Sequence, residues 1–221
     1  MPGAAGLYND LRREHTAWAQ RIHAVFFHQG APALGEGALR SEQGLAALRE
    51  AAAARLSPAG QAQVATALEV TAALEARLHA VRHQLLDAAR HLAGAKVLAA
   101  RLYGVGPVTA LAMTCWLAGA GRFSSSRQAV RFAGLDITVR SPDRKGPPGR
   151  LSRQGPPVLR WAVYEAGKTH ARAPAPDHGY YATVKDREGG KRAALSEARK
   201  ILRQAHHILA ELGDDALAPA A

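Results

Sequence analysis

Apolar residues recur at helical spacing along nearly the whole chain, and this pattern predicts a mainly α-helical protein. Leu7, Leu11, Trp18, Ile22, Val25 and Phe26 mark a first helix over 7–29, because positions three and four apart share one helical face. Residues 30–37, with Pro32 among them, break the pattern, and Leu45, Leu48 and Leu56 resume it over 39–56. Ser57-Pro58 then offers a capping hydroxyl followed by proline at the first helical position, a strong start signal.

From there the repeat tightens to seven residues. Val64, Thr71, Leu78, Leu85 and Leu92 recur in register, with Ala67, Leu74, Val81 and Ala88 between them. This is a seam of period 3.5 on a helix roughly 50 Å long. It fits a dimerising or antiparallel coiled-coil arm, and it equally fits one long helix of an ordinary bundle. Threonine and alanine at several seam positions weaken an autonomous zipper. Gly94 is expected to end the helix.

The second half is built of shorter pieces. A helix over 96–102, the turn Gly104-Val105-Gly106-Pro107 and a helix over 107–117 make a helix-hairpin-helix-like element. Two glycines let a backbone approach a phosphate closely, and the second helix presents free N–H groups at its positive end. A tight turn between helices with no ligand would produce the same pattern. Ser125-x-x-Gln128 reads as a capping box opening a helix through Ala133, which Gly134 terminates. Residues 135–153 form one short extended basic loop, in which Leu135, Ile137 and Val139 alternate with polar residues. A helix over 157–171 buries Leu159, Ala162, Val163 and Ala166 and carries Arg160, Tyr164 and Lys168 as a separate stripe. A segment from Tyr180-Tyr181 to Gly189-Gly190 follows, and then a last helix over 192–212. The expected organisation is a helical or coiled-coil arm over 1–95, a domain over 96–213 and a disordered tail over 214–221.

Charge sharpens this picture. The chain of 221 residues carries a formal charge of +11. Residues 122–203 hold 18 of the 29 Lys and Arg but 7 of the 18 Asp and Glu, so the whole excess lies there. Such a field attracts polyanions without naming one. Lys145 and Arg140, Arg144, Arg150 and Arg153 crowd the extended loop, which runs into the helix start at Pro156-Pro157. Cationic side chains beside a helix N-terminus suit phosphate, and DNA is the leading partner. The expected contacts are Gly104, Gly106, Arg140, Arg144, Lys145, Arg150, Arg153, Arg160 and Lys168.

Other chemistry finds less support. One cysteine, Cys115, excludes an internal disulfide framework and a cysteine-based zinc site. His79 and His83 stand four apart with no third ligand at a recognisable spacing, and His206 and His207 are adjacent and cannot face the same way on a helix. The carboxylates are scattered among basic neighbours, so no two-metal nuclease site is expected, and no metal ligand or cofactor is assigned to this chain. No apolar run is long enough to span a membrane and no secretory leader is visible, which reads as a cytoplasmic protein.

The order of these motifs resembles a known family. Tyr103-Gly104-Val105-Gly106-Pro107-Val108-Thr109-Ala110, then Gly121-Arg122-Phe123, Ala133-Gly134-Leu135, Ser141, the run from Gly149 to Arg160, and Tyr180-Tyr181 resemble the C-terminal transposase domain of the 110/116/902 insertion-sequence family. The pilin-gene-inverting recombinases belong to the same group. The resemblance covers about residues 96–212, and the preceding helices, with Arg21-Ile22-His23, resemble the family's linker region. It implies DNA transposition or site-specific recombination, with a guide RNA as a possible further partner and Ser141 as the group that attacks DNA. It also implies an N-terminal RuvC-like domain holding Mg²⁺ on four acidic residues. Met1 stands about where the linker should begin, so the chain is expected to be truncated and not autonomously catalytic. The family's serine commonly lies in a Ser-Ser-Gly or Ser-Ser-Asp run, whereas here Ser141 matches the first serine and Pro142 stands where the second would be, so the nucleophile is lost if it is the second. Pairing with itself or with full-length transposase through the helix over 58–92 is expected. The alternative is a non-catalytic nucleic-acid-binding or regulatory remnant.

Overall fold

The computed structural model describes residues 2–35, 37–119, 122–137 and 151–220. Among them run nine α-helices: α1 (Pro2–His28), α2 (Glu42–Arg55), α3 (Pro58–Arg90), α4 (Ala93–Arg101), α5 (Pro107–Leu117), α6 (Ser126–Phe132), α7 (Pro157–Lys168), α8 (His178–Glu188) and α9 (Gly190–Leu212). Two 3-10 turns, Thr169–Ala171 and Gly213–Leu217, extend α7 and α9. Among the described residues β-pairing is confined to two isolated antiparallel bridges, Leu92 with Pro219 and Ile137 with Leu151. The mainly α fold is therefore as the apolar periodicity predicts. The chain divides into two compact units, Leu7–Val81 and Met1–Gly6 with Arg82–Ala221, whereas the sequence pattern places the boundary at 95/96.

In the unit Leu7–Val81, Ile22 and Phe26 of α1, Leu48 and Ala52 of α2, Leu56, and Val64 and Ala67 of α3 share one apolar core. Ser57 caps α3 as expected, its Oγ accepting from the Gly60 N–H at 3.2 Å. The Ser57 N–H in turn donates to Gln29 Oε1 at 2.8 Å, which ties the end of α1 to the start of α3. Val64 and Ala67, the first seam residues of the heptad pattern, are buried inside this core. Over that stretch the seam packs as a bundle helix.

In the second unit α9 is the central element, packing against α6, α7 and α8. Its buried positions Ala194, Ala198, Ile201, Leu202, Ala205 and Leu209 follow the helical period. Helix α5 is apolar on all sides, with Ala110 to Thr114 fully covered, so it lies inside the unit instead of presenting a polar face. Two expectations are corrected here. The break after α3 falls at His91 and Leu92, and Gly94 sits buried within α4, where a Cβ would meet the Ala216 carbonyl at 2.7 Å. The tail, expected to be disordered, is tied back: Ala93 N–H donates to Ala218 O at 3.1 Å, Ala220 N–H donates to His91 O at 2.9 Å, and Ala216 is buried. Short alanine-rich sequence gives no periodic sign of such pairing.

The feature that positions residues 151–155 is the end of α6. Gly134 takes a left-handed conformation (φ +67°), its N–H donating to Arg131 O at 2.9 Å while the Leu135 N–H reaches Val130 O at 3.2 Å. These two bonds make a Schellman cap. Residues 151–155 cross directly over it. The Arg153 N–H donates to Gly134 O at 3.2 Å and the Ser152 N–H to Asp136 O at 3.0 Å, and the Ser152 hydroxyl bonds the Asp136 carboxylate. A Cβ on Gly134 would collide with the Gln154 backbone, and one on Gly155 (φ +97°) with the Phe132 carbonyl. Only two glycines allow this crossing. Gly134→Ala should therefore cost more than about 2 kcal/mol, combining left-handed strain with backbone collision, read as a lower urea midpoint. Gly179→Ala on α8, where a Cβ meets nothing, should be neutral or stabilising in the same assay.

Candidate nucleic-acid interface

The crossing leaves backbone carbonyls at the end of α6 that two arginines satisfy. Arg160, in the first turn of α7, donates from Nη1 to Ala133 O at 3.0 Å. Arg199, in the middle of α9, donates from Nε to Leu135 O at 2.8 Å. Both are half-buried, and burial lowers the pKa of each, with the charge of Arg153 adding to the effect at Arg160 and that of Arg203 at Arg199. The Tyr180 and Asp136 charges oppose it at Arg199. Arg160 and Arg199 are thus bonded to the turn, while Arg153, which crosses it, and Arg203, one helical turn beyond Arg199 on α9, are exposed. Arg153 itself is held at φ +53°, a conformation uncommon for a residue with a side chain. Arg131, beside the turn, faces Asp136 at 3.9 Å.

The expected contacts fall into separate groups. Arg140, Ser141, Arg144, Lys145 and Arg150 lie outside the described residues. Arg153 and Arg160 come together at the Gly134 crossing. Lys168 sits at the far end of α7, paired with Glu165 at 2.9 Å and facing the Tyr164 ring at 5.7 Å. The Arg160–Tyr164–Lys168 stripe is therefore engaged within the protein at both ends, by Ala133 and by Glu165. At the start of α7, Pro157 is exposed while its neighbours pack inward. Pro156 and Val158 are buried there, and a Cβ on Gly6 would touch Val158 at 3.9 Å.

The two glycines of the α4–α5 turn do different things. Gly104 (φ +76°) approaches the end of α7 so closely that a Cβ would strike the Thr169 hydroxyl and stand 2.9 Å from Ala166 O; it is required by packing. Gly106 is exposed, a Cβ there would meet nothing, and it begins α5 with no side-chain cap. The backbone N–H groups behind it can still receive an anion. Since Gly104 abuts Ala166 and Thr169 at the end of α7 and the arginine cluster meets the helix at Arg160, the two elements stand roughly 9–14 Å apart along the helix.

Sequence reasoning missed Arg199 and Arg203. Their spacing of four residues on α9 was the available signal, but the last helix was read for its apolar face alone. It also missed His170, Asp177 and Glu197, which converge from the 3-10 turn after α7, the start of α8 and the middle of α9.

Comparison with known protein families gives this domain its class: residues 97–182 match a family of transposases. The family is described as Transposase IS116/IS110/IS902 family, and the stretch 97–182 is a domain of it, as the order of motifs implied. The matched stretch runs from within α4 to the first turns of α8 and includes the whole crossing at Gly134. No curated protein matches the chain. No helix among the described residues is long and apolar enough to cross a membrane.

Arg160→Met keeps the packing of the stem and removes the donor to Ala133. It should cost about 1–3 kcal/mol in a denaturant titration, the range for a lost bond to a charged group. An unchanged midpoint would show that the bond to Ala133 does not anchor the end of α6.

Proposed function

We propose that this chain binds DNA through the arginine cluster at the Gly134 crossing and takes part in the transposition or site-specific recombination chemistry of its family. The observation that carries the reading is the convergence of Arg153, Arg160 and Arg199 on the Gly134 crossing, with the exposed Arg203 one helical turn beyond Arg199, within and beside a transposase domain. Like charges cost free energy when gathered, and a polyanion offsets that cost. The inner pair serves the fold, and the exposed pair is available to phosphates. The open start of α5 at Gly106 offers a second point of attachment, about three or four base steps away along a duplex at 3.4 Å each.

Association of this kind releases counterions, so the logarithm of affinity falls linearly with the logarithm of salt concentration. Replacing Arg153 and Arg203 together by glutamine should flatten that line by about 0.9 for each phosphate no longer neutralised, with the melting temperature held. An unchanged slope would remove the cluster from the interface.

Ser141, in the sequence between the two segments that meet at the crossing, is the residue we assign to attack on DNA. Ser141→Ala should abolish strand exchange in a recombination assay that supplies the family's other components, while duplex retention stays at the wild-type level. Exchange that survives the substitution would withdraw the assignment.

A further inference from the structure

Helix α9 buries a carboxylate in its apolar face. Glu197 has no exposed surface, a costly placement unless the charge is matched, and burial pushes its pKa up against the opposing pull of Lys200 and His170. Facing it is His170, 3 % exposed, with Nδ1 at 3.6 Å from Glu197 Oε2, beyond hydrogen-bond reach. Oε2 and both ring nitrogens of His170 have no hydrogen-bond partner among the described residues. Asp177, half-buried ahead of α8, completes a set whose ligand atoms all lie within 4.8 Å of one another. Lys200 reaches the other carboxylate oxygens, at 3.4 Å from Glu197 Oε1 and 3.7 Å from Asp177 Oδ1.

We propose that His170, Asp177 and Glu197 form a site for one divalent transition-metal ion of the zinc class. Ligands about 2.1 Å from a tetrahedral ion stand about 3.4 Å apart, close to the separation of His170 and Glu197. An ion there would give the buried Oε2 and one imidazole nitrogen the partner that each lacks. One nitrogen and two carboxylates suit zinc, manganese or iron, whereas magnesium and calcium favour oxygen alone. The remaining position opens beside the half-exposed Asp177, where a water can complete the coordination. Lys200 is the resident competitor, its ammonium sharing the same two carboxylates. The ion would pin the 3-10 turn Thr169–Ala171, the start of α8 and the middle of α9 to one another.

The test is calorimetric titration of the metal-stripped full chain with Zn²⁺, followed by Co²⁺ as a visible-absorbing substitute. The wild type should bind one equivalent, with Co²⁺ giving the absorption of a low-coordinate N/O site. Removing even the outer partners of metal ligands weakens binding ten- to a hundredfold, so Glu197→Gln and Asp177→Asn should each cost at least about tenfold and erase the Co²⁺ bands. Lys200→Met should tighten binding. Should Glu197→Gln fail to fold, Asp177→Asn at the rim decides alone. Absence of stoichiometric binding by the wild type overturns the site. So does binding unchanged in the carboxylate variants, as would follow if His79 and His83 held the metal instead.

Discussion

The domain that contains the transposase match depends on one steric constraint: two backbones pass in contact where residues 151–155 cross the end of α6. The crossing has room only for glycine at 134 and 155. It closes a small ladder, Gly134 and Asp136 accepting from Arg153 and Ser152, and so joins residues 134–137 to residues 151–155. It also turns the Ala133 and Leu135 carbonyls toward α7 and α9, and long cationic side chains meet them. Positive charge gathers at this joint because the joint needs donors that can reach it.

That origin explains why structure and binding are interleaved here. Arg160 and Arg199 donate to carbonyls and pass under cover, while Arg153 and Arg203 remain in solvent beside them. The inner pair cannot be neutralised without loosening the end of α6, whereas the outer pair can. The field at the crossing is thus sustained by residues the fold requires, and it persists when the exposed side chains move. Local charge crowding of this kind is a binding signal only when the surroundings supply too few carboxylates. Among the described residues Asp136 is the acid bonded at the turn, and it is shared among Ser152, Arg131 and the more distant influence on Arg199.

Much of the helical framework was legible because its signals are local. Ser57-Pro58 and Gly106-Pro107 mark the starts of α3 and α5, Ser125 caps α6 by accepting from Gln128, and the period of α9 reports its buried face. What the sequence hid depends on packing between distant segments. Gly94 looked like a stop and is a packing residue against Ala216. Gly104 and Gly106 looked like one phosphate-binding pair, yet the first is filled by Thr169 and only the second opens outward. Arg160 and Lys168 read as one stripe, and each has an internal partner that no spacing rule reveals. The family resemblance succeeded because ordered motifs integrate such distant constraints without resolving them.

The central claim is that nucleic acid sits at the Gly134 crossing, and amide hydrogen exchange on the full chain, with and without a DNA duplex, tests it most directly. Slowed exchange at residues 151–155 and around Arg199 to Arg203, together with the first turn of α5, is the result this account predicts. Slowing confined to residues 7–81, with the Gly134 crossing and its arginines unaffected by DNA, would contradict it.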